Sequence, residues 1–158
     1  MYSKHKSYTL DDALAKLQKY CSYQDRCHME VEQKLKSMGM VSQASKQIII
    51  ALIQQDYLNE ERFAMAFVRG KFRIKKWGRI RLGSELKKRR ISPYLIRKSL
   101  HQISEEDYIK TFESLAARKA ETLVGPSKNK KKKKLIDYLT YRGWESHLIY
   151  DKVNQLFQ

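Results

Sequence analysis

Glycine and proline are scarce: six and two residues in a chain of 158. So little turn chemistry excludes an all-β fold, whose strands need a turn roughly every 8–12 residues. Only two cysteines occur, Cys21 and Cys27, at a spacing that matches no zinc signature. Reduced thiols, and with them a cytoplasmic setting, are expected. Long apolar runs are also missing. The longest covers residues 48–53, against the roughly 20 residues of a membrane span, so no membrane partner is expected. Residues 1–6 carry charge with no apolar segment behind it, and no secretory signal is expected there.

Catalytic constellations are equally hard to find. The four histidines, His5, His28, His101 and His147, are scattered. His28 and Glu32 are four apart on a helix but lack a third ligand, so an exposed helical pair is expected and no metal. Cys27 stands at a helix start, where thiol pKa values tend to fall. It has no acid–base partner and reads as a small capping residue. Paired carboxylates occur only at helix starts (Asp11-Asp12, Glu60-Glu61, Glu105-Glu106-Asp107), where the macrodipole favours them. There is no glycine-rich phosphate loop of the Walker type and no G-x-S-x-G. The sequence predicts a binding protein with no cofactor, not an enzyme.

What is abundant is positive charge: 33 Lys and Arg against 17 Asp and Glu, a net +16. Residues 69–98 hold thirteen bases and one acid, Glu85, and six more lysines fall at 128 and 130–134. The remainder is net −2. A merely soluble surface interleaves signs. Two blocks carrying the whole excess point to a polyanion partner.

Internal repetition organises the chain. Residues 27–49, 78–100 and 131–153 align without a gap, at offsets of 51 and 53. Apolar residues coincide at Val31/Leu82/Leu135, Leu35/Leu86/Leu139, Met40/Ile91/Trp144, Ala44/Leu95/Leu148 and Ile49/Leu100/Val153. The i, i+4 spacing of the first pair sets one helical face. A break follows at Gly39, Arg90 and Gly143, where a left-handed residue ends a helix. Ser92-Pro93 then reads as an N-cap with proline at the first helical position. A further helix precedes each pair. Its apolar face is Leu10-Leu14-Leu17-Cys21 in the first copy, opened by a Thr9–Asp12 capping box. In the second it is Phe63-Phe67-Gly70-Ile74, and in the third Tyr108-Phe112-Leu115, which is capped by Ser104 and stops at Gly125-Pro126. The predicted fold is all-α: three tandem three-helix, helix-turn-helix-like repeats over 9–58, 59–103 and 104–158, forming an elongated, curved array.

The basic middle unit is the candidate nucleic-acid interface. Arg69, Arg73 and Lys76 share a side of its first helix, with Lys71 and Lys75 beside them. Trp77 and Gly78 form the turn, where Trp77 either stacks a base or covers the core. Arg79 and Arg81 open the next helix, whose N-terminus reads as a phosphate platform with glycine at the cap. Lys87, Lys88, Arg89 and Arg90 close it. The unit's last helix opens with Pro93-Tyr94-Leu95, not with side chains suited to base edges, so backbone binding of low sequence preference is expected.

The segment 26–35, from Arg26-Cys27 through Glu30-Val31 to Lys34-Leu35, resembles the R-S-x-x-E-L-x-x-K-L opening of the RecX regulatory proteins. Residues 56–64, Asp-Tyr-Leu-Asn-Glu-Glu-Arg-Phe-Ala, are similar to that family's most distinctive stretch. Gly78, Arg81-Leu82, Glu85-Leu86 and Ile91 resemble its second unit, and Tyr138-Leu139 with Arg142-Gly143-Trp144 its third. Cys27 replaces the usual serine, Arg90 stands where glycine is common, and the lysine run at 130–134, read as a flexible connection, is unusual. The resemblance implies a monomeric, cytoplasmic modulator of the RecA recombinase in DNA repair, recombination and the SOS response. Such a protein engages the RecA–DNA filament, single- or double-stranded, and restrains ATP hydrolysis and strand exchange. A free-standing nucleic-acid binder and a nuclease are the rival classes. The nuclease needs clustered carboxylates or histidines that the repeat keeps apart.

Overall fold

In the computed structural model, which describes residues 7–158, three of the expected helix starts are capped by their own side chains, whereas Cys27 stands at the N-cap of its helix but makes no cap bond. Thr9 accepts from the Asp12 amide (3.1 Å), Ser92 from Leu95 (3.2 Å) and Ser104 from Asp107 (3.1 Å). Each bond satisfies one N–H that the helix leaves orphaned. Asn59 and Ser127 do the same for Arg62 and Lys130. His5 and the charge pattern of residues 1–6 lie outside the described residues.

Among the described residues there are nine α-helices: α1 Leu10–Tyr23, α2 His28–Ser37, α3 Ser42–Gln54, α4 Glu60–Gly70, α5 Arg79–Lys88, α6 Pro93–His101, α7 Glu105–Thr122, α8 Lys128–Tyr141 and α9 Ser146–Leu156. A π-helical segment, Lys71–Lys75, prolongs α4, and the described residues contain no strand. Helices α1 and α2 pack on α3, α4 and α5 pack on α6, and α7, α8 and α9 pack on one another. Each triplet encloses its own core. The aligned positions Val31, Leu82, Leu135 and Leu35, Leu86, Leu139 are all fully buried. The turns after them are left-handed in every copy, at Gly39 (φ +77°), Arg90 (φ +59°) and Gly143 (φ +90°). The accessible surface, 10650 Å², exceeds the roughly 8,300 Å² expected of a compact protein of this mass. Three small cores in a row expose more than one large core would.

The structure corrects four details. In α1 the fully buried ridge is Ala13-Leu17, continued by Cys21, while Leu10 is 46% exposed; small Ala13 lets α3 approach closely. In α4 the buried residues are Phe63, Ala64 and Val68, and Ile74 is 74% exposed. The π-helical segment takes an extra residue into its turn and rotates the chain beyond it, so Phe72 reaches the cores of both the second and third triplets instead. In the last helix of each triplet the repeat register is kept only at Val153. The buried residues of this helix are Ile48 and Leu52, then Ser99, then Ile149 and Val153, whereas Ala44, Leu95, Leu148, Ile49 and Leu100 are half-buried. Ser99, its hydroxyl donating to the Ile96 carbonyl (2.9 Å), is small enough to let α4 lie close on α6. Finally, Lys130 to Lys134 form no flexible connection but the opening turns of α8. Lysine is a good helix former. Here Lys134 donates to the Val124 carbonyl (3.1 Å) and Lys133 to Asp137 (2.8 Å).

Candidate nucleic-acid interface

The π-helical segment ends at Lys76, which is left-handed (φ +57°) and whose carbonyl oxygen accepts from Trp144 Nε1 (3.0 Å). The Lys75 carbonyl accepts from Arg142 (2.6 Å). The start of α5 is then closed by the third triplet. The Gly78 N–H donates to the Arg142 carbonyl (2.8 Å), Arg79 N–H to the Tyr108 hydroxyl (2.9 Å) and Ile80 N–H to the Gly143 carbonyl (3.0 Å). A Cβ on Gly78 would lie 2.5 Å from the Gly143 oxygen. The expected phosphate platform is therefore corrected: these amides are spent on the neighbouring turn, and Gly78 admits backbone, not phosphate.

Arg79 is likewise committed inside the molecule. Its guanidinium lies 3.7 Å from the Tyr108 ring centre and pairs with Glu105 and with Glu145 (3.4 Å). Tyr108, pushed well above the usual phenol range by burial, donates to Glu145. Arg81 covers Trp77 (4.1 Å) and Tyr141 (4.5 Å) and donates to the Tyr141 carbonyl (3.2 Å). Trp77 is half-buried against Phe67 at the edge of the second core, with Lys71 also over its ring (5.4 Å). At the far end of α5, Lys88 (3.3 Å) and Arg89 (3.0 Å) hold Glu85. Burial opposes ionisation of Glu85, but the hydrogen bonds from Arg89 and Lys88 prevail and hold its carboxyl below the ordinary range. Arg90 reaches back to Glu32 (2.7 Å). Arg69, Arg73 and Lys87 are exposed and make no ion pair among the described residues.

Elsewhere, His28 Nδ1 faces Glu60 (3.8 Å), so the His28–Glu32 pair is divided between two partners. Cys27 is fully buried, its thiol 3.3 Å from the Glu30 carboxylate. Both cysteines are free. Among the described residues no three His, Cys, Asp or Glu side chains converge as metal ligands, and no helix is long and apolar enough to cross a membrane. Two cations escaped sequence reasoning, Lys110 and Arg118. With Lys76, Thr111, Ser114 and Leu115 they line a depression of about 280 Å³. Their eight-residue spacing, two helical steps of four through Ser114, was the available signal.

Residues 59–100 match the RecX second three-helix domain, and residues 105–153 match the RecX third three-helix domain. The chain belongs to the RecX family. Regulatory protein RecX of Lactobacillus johnsonii is 33% identical over 97 residues, covering 61% of this chain and 36% of that protein. Its counterpart in Bacillus licheniformis is 32% identical over 130 residues, covering 82% and 46%. That of Chlorobaculum tepidum is 29% identical over 150 residues, covering 94% and 88%. The chain thus spans between about a third and a half of the Lactobacillus and Bacillus RecX relatives it matches. In fold it is similar to the crystal structure of RecX from Lactobacillus salivarius, with a TM-score of 0.77 and 24% identity over 93% of this chain and 96% of that one. A second regulatory RecX structure gives a TM-score of 0.80 at 20% identity, over 92% and 71%. RecX is a family of regulatory proteins, and the two matched RecX domains meet at the start of α5.

Proposed function

We propose that this RecX-family protein, built of units 9–58, 59–103 and 104–158, binds the RecA–DNA filament and restrains its ATP hydrolysis and strand exchange, with no catalytic chemistry of its own. The observation that carries the reading is the division of cations in the middle unit. Arg79, Arg89 and Arg90 are neutralised by Glu145, Glu85 and Glu32, whereas Arg69, Arg73 and Lys87 stand exposed without an acid among the described residues. Unpaired surface cations attract phosphate, release counterions on contact and speed association with a polyanion. The docking set is therefore Arg69, Arg73 and Lys87, with Lys76 and Arg81 at its margin; Trp77 supports Arg81, and Lys88, like Arg89, is held by Glu85. Arg79 holds the second and third units together. Buried, free cysteines fit a cytoplasmic setting.

The test changes Arg69, Arg73 and Lys87 together to glutamine. Helicity should be unchanged, because none of the three is buried. Inhibition of recombinase ATP hydrolysis should fall sharply. Binding of the parent chain to duplex DNA should show a slope of log K against log salt near about −4 to −5, for on the order of five phosphate contacts. A triple variant that still inhibits fully at physiological salt removes this surface from the docking site. Equal affinity for DNA with and without the recombinase favours a free-standing nucleic-acid binder.

A further inference from the structure

We propose that the depression between Lys76 and α7 is a phosphate-binding site. Its lining residues carry two ammonium groups, one guanidinium and two hydroxyls: Lys76, Lys110, Arg118, Thr111 and Ser114. No carboxylate lines it, and Leu115 is the only apolar side chain. Lys110, Ser114 and Arg118 form one row of α7, spaced by four, and Thr111 and Leu115 the adjacent row. None of the three cations makes an ion pair among the described residues, in contrast to Arg79, Arg89 and Arg90 a short distance along the chain.

Lys76 is placed by the backbone. It adopts the left-handed conformation, unusual for a residue with a side chain, and its carbonyl is tied to the indole of Trp144 (3.0 Å). Its half-buried side chain is thereby carried on a fixed main chain at the rim of α7. The donors suit one chemistry. A phosphate offers several acceptor oxygens, a guanidinium meets two of them in parallel, and ammonium and hydroxyl groups supply the rest. The volume, about 280 Å³, lies just below the roughly 300–1,000 Å³ of sites that enclose a whole small ligand. It accommodates a phosphate group with part of what it esterifies. A nucleic-acid strand and a free phosphate ester share that group.

The experiment uses the full chain and isotope-labelled amide spectra. Inorganic phosphate, titrated against chloride at equal ionic strength, should shift the Thr111, Ser114 and Leu115 amides saturably. Lys110→Gln with Arg118→Gln should abolish saturation and weaken a short single-stranded oligonucleotide about tenfold. Lys36→Gln with Lys46→Gln removes the same charge from exposed positions of the first triplet, and should weaken it less than about twofold. Competition between oligonucleotide and phosphate at these amides assigns the strand as source; saturation by a nucleoside monophosphate with no response to oligonucleotide assigns the free ester. Shifts that match chloride, or phosphate saturation that survives in the Lys110→Gln, Arg118→Gln variant, overturn the proposal. None of these measurements involves the recombinase, so they stand or fall apart from the filament reading.

Discussion

Burial decides the chemistry of Cys27. A helix start lowers a thiol's pKa when it faces solvent, but this one is fully buried at the head of α2 and is pushed up to about 11 by desolvation. At neutral pH it is a protonated thiol beside the Glu30 carboxylate (3.3 Å). A thiol reagent at pH 8 should therefore label Cys27 only as fast as the chain opens; rapid labelling of the native protein would contradict this. The raised value also fixes the sign of its effect on stability. The contribution is complete below the ordinary value of 9.0 and is lost as pH rises towards about 11. Denaturant midpoints measured from pH 8 to 11 should decline across that window, and less steeply after Cys27→Ala. Position 27 was legible in the sequence as a helix start. Its inertness was not, because burial depends on Phe63 and its neighbours, more than thirty residues away.

Among the elements, the glycines beside the π-helical segment separate two kinds of constraint. Gly78 opens α5 with an ordinary extended conformation, so its need for glycine is one of space alone. A methyl there meets the Gly143 carbonyl and the Trp144 backbone, which cannot swing aside as a side chain would. Gly78→Ala should cost about 1–3 kcal/mol in urea unfolding. Gly70, helical and with nothing near its missing Cβ, should behave oppositely: Gly70→Ala should stabilise by about 0.5–1 kcal/mol. A loss at Gly70, or no loss at Gly78, would show that the two helix ends are arranged differently in solution. The sequence marked Gly78 as a helix cap through its turn with Trp77 and its place at the head of the repeated segment 78–100. What it could not mark was the occupant of that cap, the turn of another repeat.

Across the molecule, the two joints between triplets differ in kind. The second and third are joined through main-chain bonds from Gly78 and Ile80 to Arg142 and Gly143, and share Phe72 and Ile103 between their cores. The first and second are joined by side chains: Arg62 to Asp25 (2.7 Å), Arg90 to Glu32 (2.7 Å), and Cys27 and Met29 packed on the second core. The Arg90–Glu32 pair is exposed and the Arg62–Asp25 pair half-exposed, so both are screened by solvent and contribute little. Native-state hydrogen exchange should therefore find α1–α3 opening at a lower free energy than α4–α9, which should open together. A single opening energy across all these helices would refute that division.

The helical class, the threefold repetition and the location of the positive charge are all written in the order of the amino acids. Each of these is local or additive. Periodicity marks a helix wherever it lies, left-handed turns mark its end even at Arg90, and charges sum regardless of packing. Folding in three dimensions set which last-helix residues are buried, where Phe72 goes and which cations remain free. Arg79 meets acids 26 and 66 residues away, and Arg90 meets one 58 residues away. The π-helical turn shifted the register that spacing predicted, and Lys76 met Lys110 and Arg118 only when α7 packed beside it. Neutralisation and convergence both depend on distance in space, which a linear pattern of residue types does not encode.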